Sequence, residues 1–272
     1  MQEFLFTDAD FERVRTLIHR YAGISLAPVK RDMVYSRLAR RLRVTGKNTF
    51  SAYIDWVEKG HPEEWEHFVN SLTTNLTSFF REEHHFPILA DYLRSLGARR
   101  PINIWCSASS TGEEPYSIAM TVLETLGNNA GQVSIVASDL DTSVLATARQ
   151  GVYPAERVEK MSPERVRRFF VKGAGAQAGS VSVTPELQRM IEFRRINLLD
   201  PNWPLKTPLD VIFCRNVMIY FDKDTQYRIL ARFAPLLQPS GLLFAGHSES
   251  FLHAADLFRS QGKTVYALAR PR

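Results

Sequence analysis

INIWCSA, residues 102–108, followed by TGEEPYSIAMTVLETLG, residues 111–127, decides the fold. The first run is apolar without in–out alternation, which predicts a strand buried on both faces. The second carries a helical pattern, with Pro115 tolerated in its first turn. Towards the C-terminus the alternation repeats. VSIVASDLD (133–141) predicts a second strand and TSVLATARQG (142–151) a second helix. IEFRRINLL (191–199), LDVIFCRNV (209–217) and GLLFAGHSE (241–249) predict three more strands, and KTVYALAR (263–270) a last one. Strands alternating with helices predict an α/β fold, a doubly wound, mostly parallel sheet covered on both faces. Tighter spacing near the end predicts an antiparallel strand at one edge. Gly173, Gly175 and Gly179 mark FFVKGAGAQAGSVSVTPEL (169–187) as a loop or hairpin inserted into this pattern.

Upstream of residue 76 the pattern is helical throughout. TDADFERVRTLIHRYAG has an N-cap candidate at Thr7 or Asp8 and a stop at Gly23. KRDMVYSRLARRLRVTG places Val34, Tyr35, Leu38 and Leu42 on one helical face and Arg37, Arg40 and Arg41 on the other. Asn48 or Thr49 caps a third helix, and Pro62 opens a fourth. Three segments are expected: a helical domain over 1–75, a linker over 76–100 and an α/β domain over 101–272, with the insert at about 168–188.

The chain of 272 residues carries a net charge of +5, and residues 1–50, with ten basic and five acidic side chains, hold all of it. That asymmetry points to an acidic partner for the helical domain. The absence of a long apolar run argues against a membrane span. The acidic, h-region-free start argues against a signal peptide. Cys106 and Cys214 end apolar strand-like runs and read as reduced core residues, consistent with a cytoplasmic protein.

Open α/β sheets bind ligands beyond the carboxyl ends of their strands. Gly112 opens a helix there, but Glu113 and Glu114 in its first turn would repel a pyrophosphate. They suit a cationic or amine-bearing ligand, or simply complement the helix dipole. Asp139 ends the second strand, where an acid accepts bonds from ribose hydroxyls or caps the next helix. Asn197 follows the third strand; Arg215, Asn216 and Tyr220 follow the fourth. A nucleoside pocket without a phosphate clamp favours S-adenosylmethionine over a nicotinamide dinucleotide. GHSES lacks the closing glycine of a hydrolase nucleophile elbow. His84 and His85, adjacent on a helix, would point about 100° apart, so no metal site is expected. The arginine face of the second helix is a solvated surface, a nucleic-acid contact or a docking face for an acidic protein. Stacking aromatics are missing from it, which argues against nucleic acid.

TTNLTSFFREEHHF (73–86), SASSTGEEPYSIA, ASDLD, INLL, FCRNVMIYFD and GLLFAGHSES occur in this order. Together they closely resemble the CheR family of chemotaxis-receptor protein-glutamate O-methyltransferases, over essentially the whole chain. The resemblance implies an N-terminal all-helical domain and a Rossmann-like, class I methyltransferase domain with a small inserted antiparallel β-subdomain. It implies S-adenosylmethionine as cofactor, with S-adenosylhomocysteine as product. Asn75, Thr77 and Arg81 would line the cofactor pocket, and Glu114, or else Glu113, would meet its methionine end. Asp139 would hold the ribose, Asn197 and Leu198 would flank the adenine, and Arg215 and Asn216 would complete the pocket. Arg81 and Tyr220 would lie near the transferred methyl.

The resemblance also makes Arg37, Arg40 and Arg41 the surface that meets the cytoplasmic methylation helices of chemotaxis receptors. Lys172 and Ser182 stand where tethering members carry arginines around the hairpin, which argues against a receptor C-terminal tether. The expected state is a monomer. A glutamate acceptor is already ionised at neutral pH, so no general base is required. The alternative is a non-catalytic cofactor-binding module that docks on an acidic partner.

Overall fold

The structure, a computed structural model, describes residues 3–97 and 100–269. Ala98 and Arg99 of the expected linker, and Arg270 of the last expected strand, lie outside the described residues. The chain forms two compact units, Met1–Thr74 with Tyr220–Gln226, and Asn75–Ile219 with Tyr227–Arg272.

The first unit contains α1 (Asp8–Ala22), α2 (Arg31–Thr45), α3 (Phe50–Glu58) and α4 (Pro62–Leu72). Thr7 starts α1 with a capping box completed by Asp10, and Thr49 caps α3. Val34, Leu38 and Leu42 of α2 are fully buried, with Val14, Ile18, Phe50, Ile54 and Phe68 also in the core. The other face of α2 departs from the expected open docking surface. Arg41 forks onto the buried Glu64 at 2.9 and 2.5 Å, and the Tyr53 hydroxyl donates to the same carboxylate at 2.6 Å. Arg37 donates to the Ser71 and Thr73 carbonyls at 3.3 and 2.6 Å, which ties α2 to the end of α4. Only Arg40 of the three is exposed.

Glu64 is 5% exposed, so removing its charge strands the half-buried Arg41 guanidinium and the buried Tyr53 hydroxyl. Glu64→Ala is expected to destabilise the helical unit by about 3 kcal/mol, measured by urea unfolding.

The segment Tyr220–Gln226 joins this unit. The Ser25 N–H donates to the Tyr220 carbonyl at 2.7 Å, and His19 meets Asp222 at 2.8 Å. Asp222 also accepts the Thr225 N–H at 2.8 Å and so caps the following helix. The bond to His19, then that to Thr225, holds its carboxyl down to about 2.

The second unit runs α5 (His85–Leu96), β1 (Ile102–Cys106), α6 (Glu113–Leu126), β2 (Val133–Asp139), α7 (Thr142–Gln150), β3 (Val152–Pro154), α8 (Pro163–Phe169), β4 (Phe170–Lys172), β5 (Ser180–Val183), α9 (Pro185–Arg189), β6 (Ile191–Arg195) and β7 (Leu209–Cys214). It continues through α10 (Lys223–Phe233), β8 (Leu237–Ala245), β9 (Phe258–Ser260) and β10 (Val265–Leu268). The first residues of α10 belong to the helical unit.

Seven strands form the main sheet in the order β6-β2-β1-β7-β8-β10-β9. The strands from β6 to β8 pair in parallel, and β10 is antiparallel to both β8 and β9. Strand order reverses between β1 and β7, which opens the ligand crevice beyond their carboxyl ends. β7 is buried at every residue, as a central parallel strand requires.

Three features differ from the sequence reading. The expected linker is not a connector: α5 lies within it and buries Phe86, Leu89 and Leu93 in the α/β core. The insert is a three-stranded antiparallel sheet, β3-β5-β4, and recruits Val152–Pro154 from before the glycine hairpin. β9 supplies one more edge strand of three residues, too short to leave a periodic signal.

Candidate functional site

The residues that follow the parallel strands converge beyond their carboxyl ends. After β1, the chain turns through Ser110 at φ 47° and Gly112 at φ 101° into α6. A Cβ at Gly112 would stand 2.7 Å from the Tyr153 hydroxyl and 2.9 Å from Ala148 Cβ, so only glycine fits this turn. The two acids in the first turn of α6 then part company. Glu113 is fully buried and ion-paired with Arg157, and it accepts the Thr111 hydroxyl at 2.6 Å. Arg157 also donates to the Thr77 carbonyl at 3.1 Å. Glu114 accepts from Arg215 at 2.6 Å and from the Cys106 thiol at 3.2 Å. Burial pushes the Glu114 carboxyl up by more than Arg215 draws it down.

Arg215 is the hub of this end of the sheet, with its side chain 1% exposed. It bridges Glu114 and Glu82, reaching Glu82 at 3.1 Å, and donates to the Arg81 carbonyl at 2.5 Å. Glu82 also accepts the Asn216 amide at 3.2 Å and the His247 N–H at 3.0 Å. Burial raises the Glu82 carboxyl, but Arg215, the His247 N–H and Asn216 outweigh it and hold the group low. Phe80 and Glu82 have φ of 52° and 53°, so the turn of FFRE is strongly bent before α5 begins.

The linker-side residues partition by backbone and side chain. Asn75 donates to Asp141 at 2.8 Å, and its carbonyl accepts the Ser110 hydroxyl at 2.9 Å. Thr77 is buried. The Arg81 guanidinium donates to the Leu76 carbonyl at 2.8 Å. Asp139 accepts the Ser110 N–H at 2.8 Å and the Asp141 N–H at 3.0 Å. Asp141, not Asp139, caps α7. Burial raises the Asp139 carboxyl to about 6 despite those N–H bonds. Asn197 and Leu198 are buried after β6. Arg232 lies 3.7 Å over the Trp203 ring and donates to the Leu198, Asp200 and Pro201 carbonyls at 3.1, 2.5 and 3.2 Å, which fixes the loop carrying them. Tyr220 belongs to the helical unit.

His84 and His85 do not diverge as two residues of one helix would. His84 precedes α5, and the two rings are 4.3 Å apart. Ligand atoms of Glu82, His84 and His85 lie within 4.8 Å of one another. The Arg215 guanidinium on Glu82 opposes a cation there. His85 is fully buried and meets the Lys263 carbonyl at 2.8 Å, and burial, then Arg215, lowers its imidazole to about 4. Sequence reasoning missed Glu82, Arg157 and Glu249, whose parts arise only when distant loops meet.

The model of the CheR methyltransferase all-alpha domain matches residues 9–73, and that of the CheR methyltransferase SAM-binding domain matches residues 75–267. The chain belongs to the CheR methyltransferase family. It is 55% identical over 269 residues to chemotaxis protein methyltransferase 2 of Pseudomonas aeruginosa, covering 98% of this chain and 96% of that one. It is 50% identical over 270 residues to the chemotaxis protein methyltransferase of Escherichia coli, covering 99% and 94%. The Klebsiella aerogenes chemotaxis protein methyltransferase is 51% identical, covering 100% and 93%. This chain is therefore an S-adenosylmethionine-dependent methyltransferase.

The residues present fit that cofactor. Ser109, in the loop after β1, has a fully buried hydroxyl that finds no hydrogen-bond partner in the protein. Carboxylates at the strand ends suit a ligand bearing a sulfonium and an amine.

Proposed function

We propose that this enzyme transfers the methyl group of S-adenosylmethionine to glutamate side chains in the cytoplasmic domains of chemotaxis receptors, forming methyl esters. The full-length match carries this reading: both the helical and the cofactor-binding parts align with relatives named as chemotaxis protein methyltransferases. When bound, the cofactor supplies a methyl group on a positively charged sulfur. Asn75, Thr77 and Arg81 are assigned to the pocket wall, and Asp139 to the ribose. Asn197 and Leu198 are assigned to the adenine. Glu114, Arg215 and Asn216 are assigned to the methionine end; Glu113, tied to Arg157, supports the wall rather than facing the ligand.

The acceptor carboxylate is ionised at neutral pH and needs no proton removed. The work of the protein is to align that carboxylate with the methyl group and to exclude water. Arg81 uses one of its donors on Leu76 and keeps others for orienting the carboxylate. The reading includes no receptor tether, because neither Lys172 nor Ser182 offers a forked cation. The enzyme acts as a monomer in the cytoplasm.

Docking is assigned chiefly to Arg40, the exposed member of the arginine face, while Arg37 and Arg41 hold that face in shape. Arg40→Glu is expected to raise KM for a receptor cytoplasmic fragment roughly fivefold or more, with S-adenosylhomocysteine affinity unchanged by calorimetry. Unchanged KM would remove Arg40 from the docking surface.

A further inference from the structure

Four main-chain N–H groups converge on one buried carboxylate in the second unit. Glu249 is 5% exposed. One of its oxygens accepts from Gly246 at 2.5 Å and Asn216 at 2.9 Å, and the other from Met218 at 2.7 Å and Ile219 at 3.3 Å. Gly246 leaves the end of β8, whereas Asn216, Met218 and Ile219 leave the end of β7. One side chain thus ties the loops after two neighbouring parallel strands into a single piece.

The tie has a conformational consequence. Asn216 adopts φ 57°, which a side-chain-bearing residue enters at a cost and keeps only when its surroundings demand it. In that conformation the Asn216 N–H points at Glu249, while its side-chain amide reaches Glu82 at 3.2 Å. Arg215, the residue just before it, reaches Glu82 and Glu114. The packing leaves no slack: a Cβ on Gly246 would collide with the Asn216 amide and lie 2.8 Å from its main-chain nitrogen. Burial raises the Glu249 carboxyl, and the four N–H groups oppose that rise. A carboxylate matches these donors, and an amide does not, because its NH2 would face N–H groups.

We propose that Glu249 is a positioning residue for cofactor binding: it holds Arg215 and Asn216 in the geometry that receives the methionine end. This rests on the assignment of Arg215 and Asn216 to that end. It is independent of which acceptor is methylated.

The test uses the full chain and S-adenosylhomocysteine in a calorimeter. Glu249→Gln is expected to weaken binding tenfold or more with an unchanged far-UV spectrum. A double-mutant cycle with Asn216→Ala separates positioning from general destabilisation. The two losses should be strongly non-additive, whereas those of Glu64→Gln, a buried carboxylate in the helical unit, and Asn216→Ala should simply add. Gly246→Ala, which presses on Asn216 and leaves Glu249 intact, should reproduce the loss and serves if Glu249→Gln does not fold. Binding within twofold of wild type in a folded Glu249→Gln or Gly246→Ala protein, or an additive cycle, overturns the proposal. A wild type that binds the ligand but labels no receptor would leave this result standing and would count only against the proposed acceptor.

Discussion

Arg215→Ala is expected to cost the α/β unit about 3–5 kcal/mol and to abolish measurable cofactor binding. The change deletes a guanidinium whose side chain is 1% exposed and leaves Glu82 and Glu114, 12% and 9% exposed, facing each other without it. Breaking a buried pair from one side is costly because the surviving charge keeps its desolvation penalty. Two survivors remain here, and the Arg81 carbonyl also loses its donor. The melting temperature should fall by roughly 10 °C. Arg215→Lys should not rescue, since an ammonium cannot fork between two carboxylates and a carbonyl. A variant that melts within a degree or two of wild type would show that the three charges are not coupled.

Asp139→Asn should weaken S-adenosylhomocysteine binding by roughly 10–100-fold at a pH well above 6, the range expected when hydroxyl donors lose an ionised acceptor. The wild type should show a pH dependence that the variant loses. The carboxyl is raised to about 6 by burial. A raised carboxyl favours the folded state while protonated. That contribution is complete below the unfolded value near ~4 and is lost as pH climbs through about 6. On the proposed assignment of Asp139 to the ribose, binding runs the other way, because the hydroxyls would donate to the ionised form. Affinity should therefore rise with pH across that window, by roughly tenfold per unit at most on its acid side. Glu114 and Glu249 are also raised by burial, so the comparison with Asp139→Asn is what assigns the slope. A slope that survives in the variant would assign it to one of those two.

Strands such as LDVIFC were legible because a central parallel strand is apolar along nearly its whole length: only Asp210 breaks the run, and residues 209–214 are buried throughout. The helical unit was legible from the spacing of Val34, Leu38 and Leu42 and from the caps at Thr7 and Thr49. What failed to show was whatever depends on partners far away in sequence. Arg41 looked like a surface charge until Glu64 and Tyr53 closed on it from α4 and α3. His84 and His85 looked divergent because a regular helix was assumed where the chain is still turning. Glu249 sat in a motif weighed for its serines, yet an acid at the end of an apolar strand was a usable signal. Glu82 lay inside a stretch already singled out, and its pairing with Arg215 spans residues 82 and 215. Motif order supplied the family; the local chemistry of the pocket needed the fold.

The most direct test of the central claim is to incubate the enzyme with methyl-labelled S-adenosylmethionine and a receptor cytoplasmic fragment, then map the label by peptide mass spectrometry. The account predicts label on glutamate side chains, released by mild base as expected of a methyl ester. Tight cofactor binding with no receptor labelled, or base-stable label on another residue type, would contradict it.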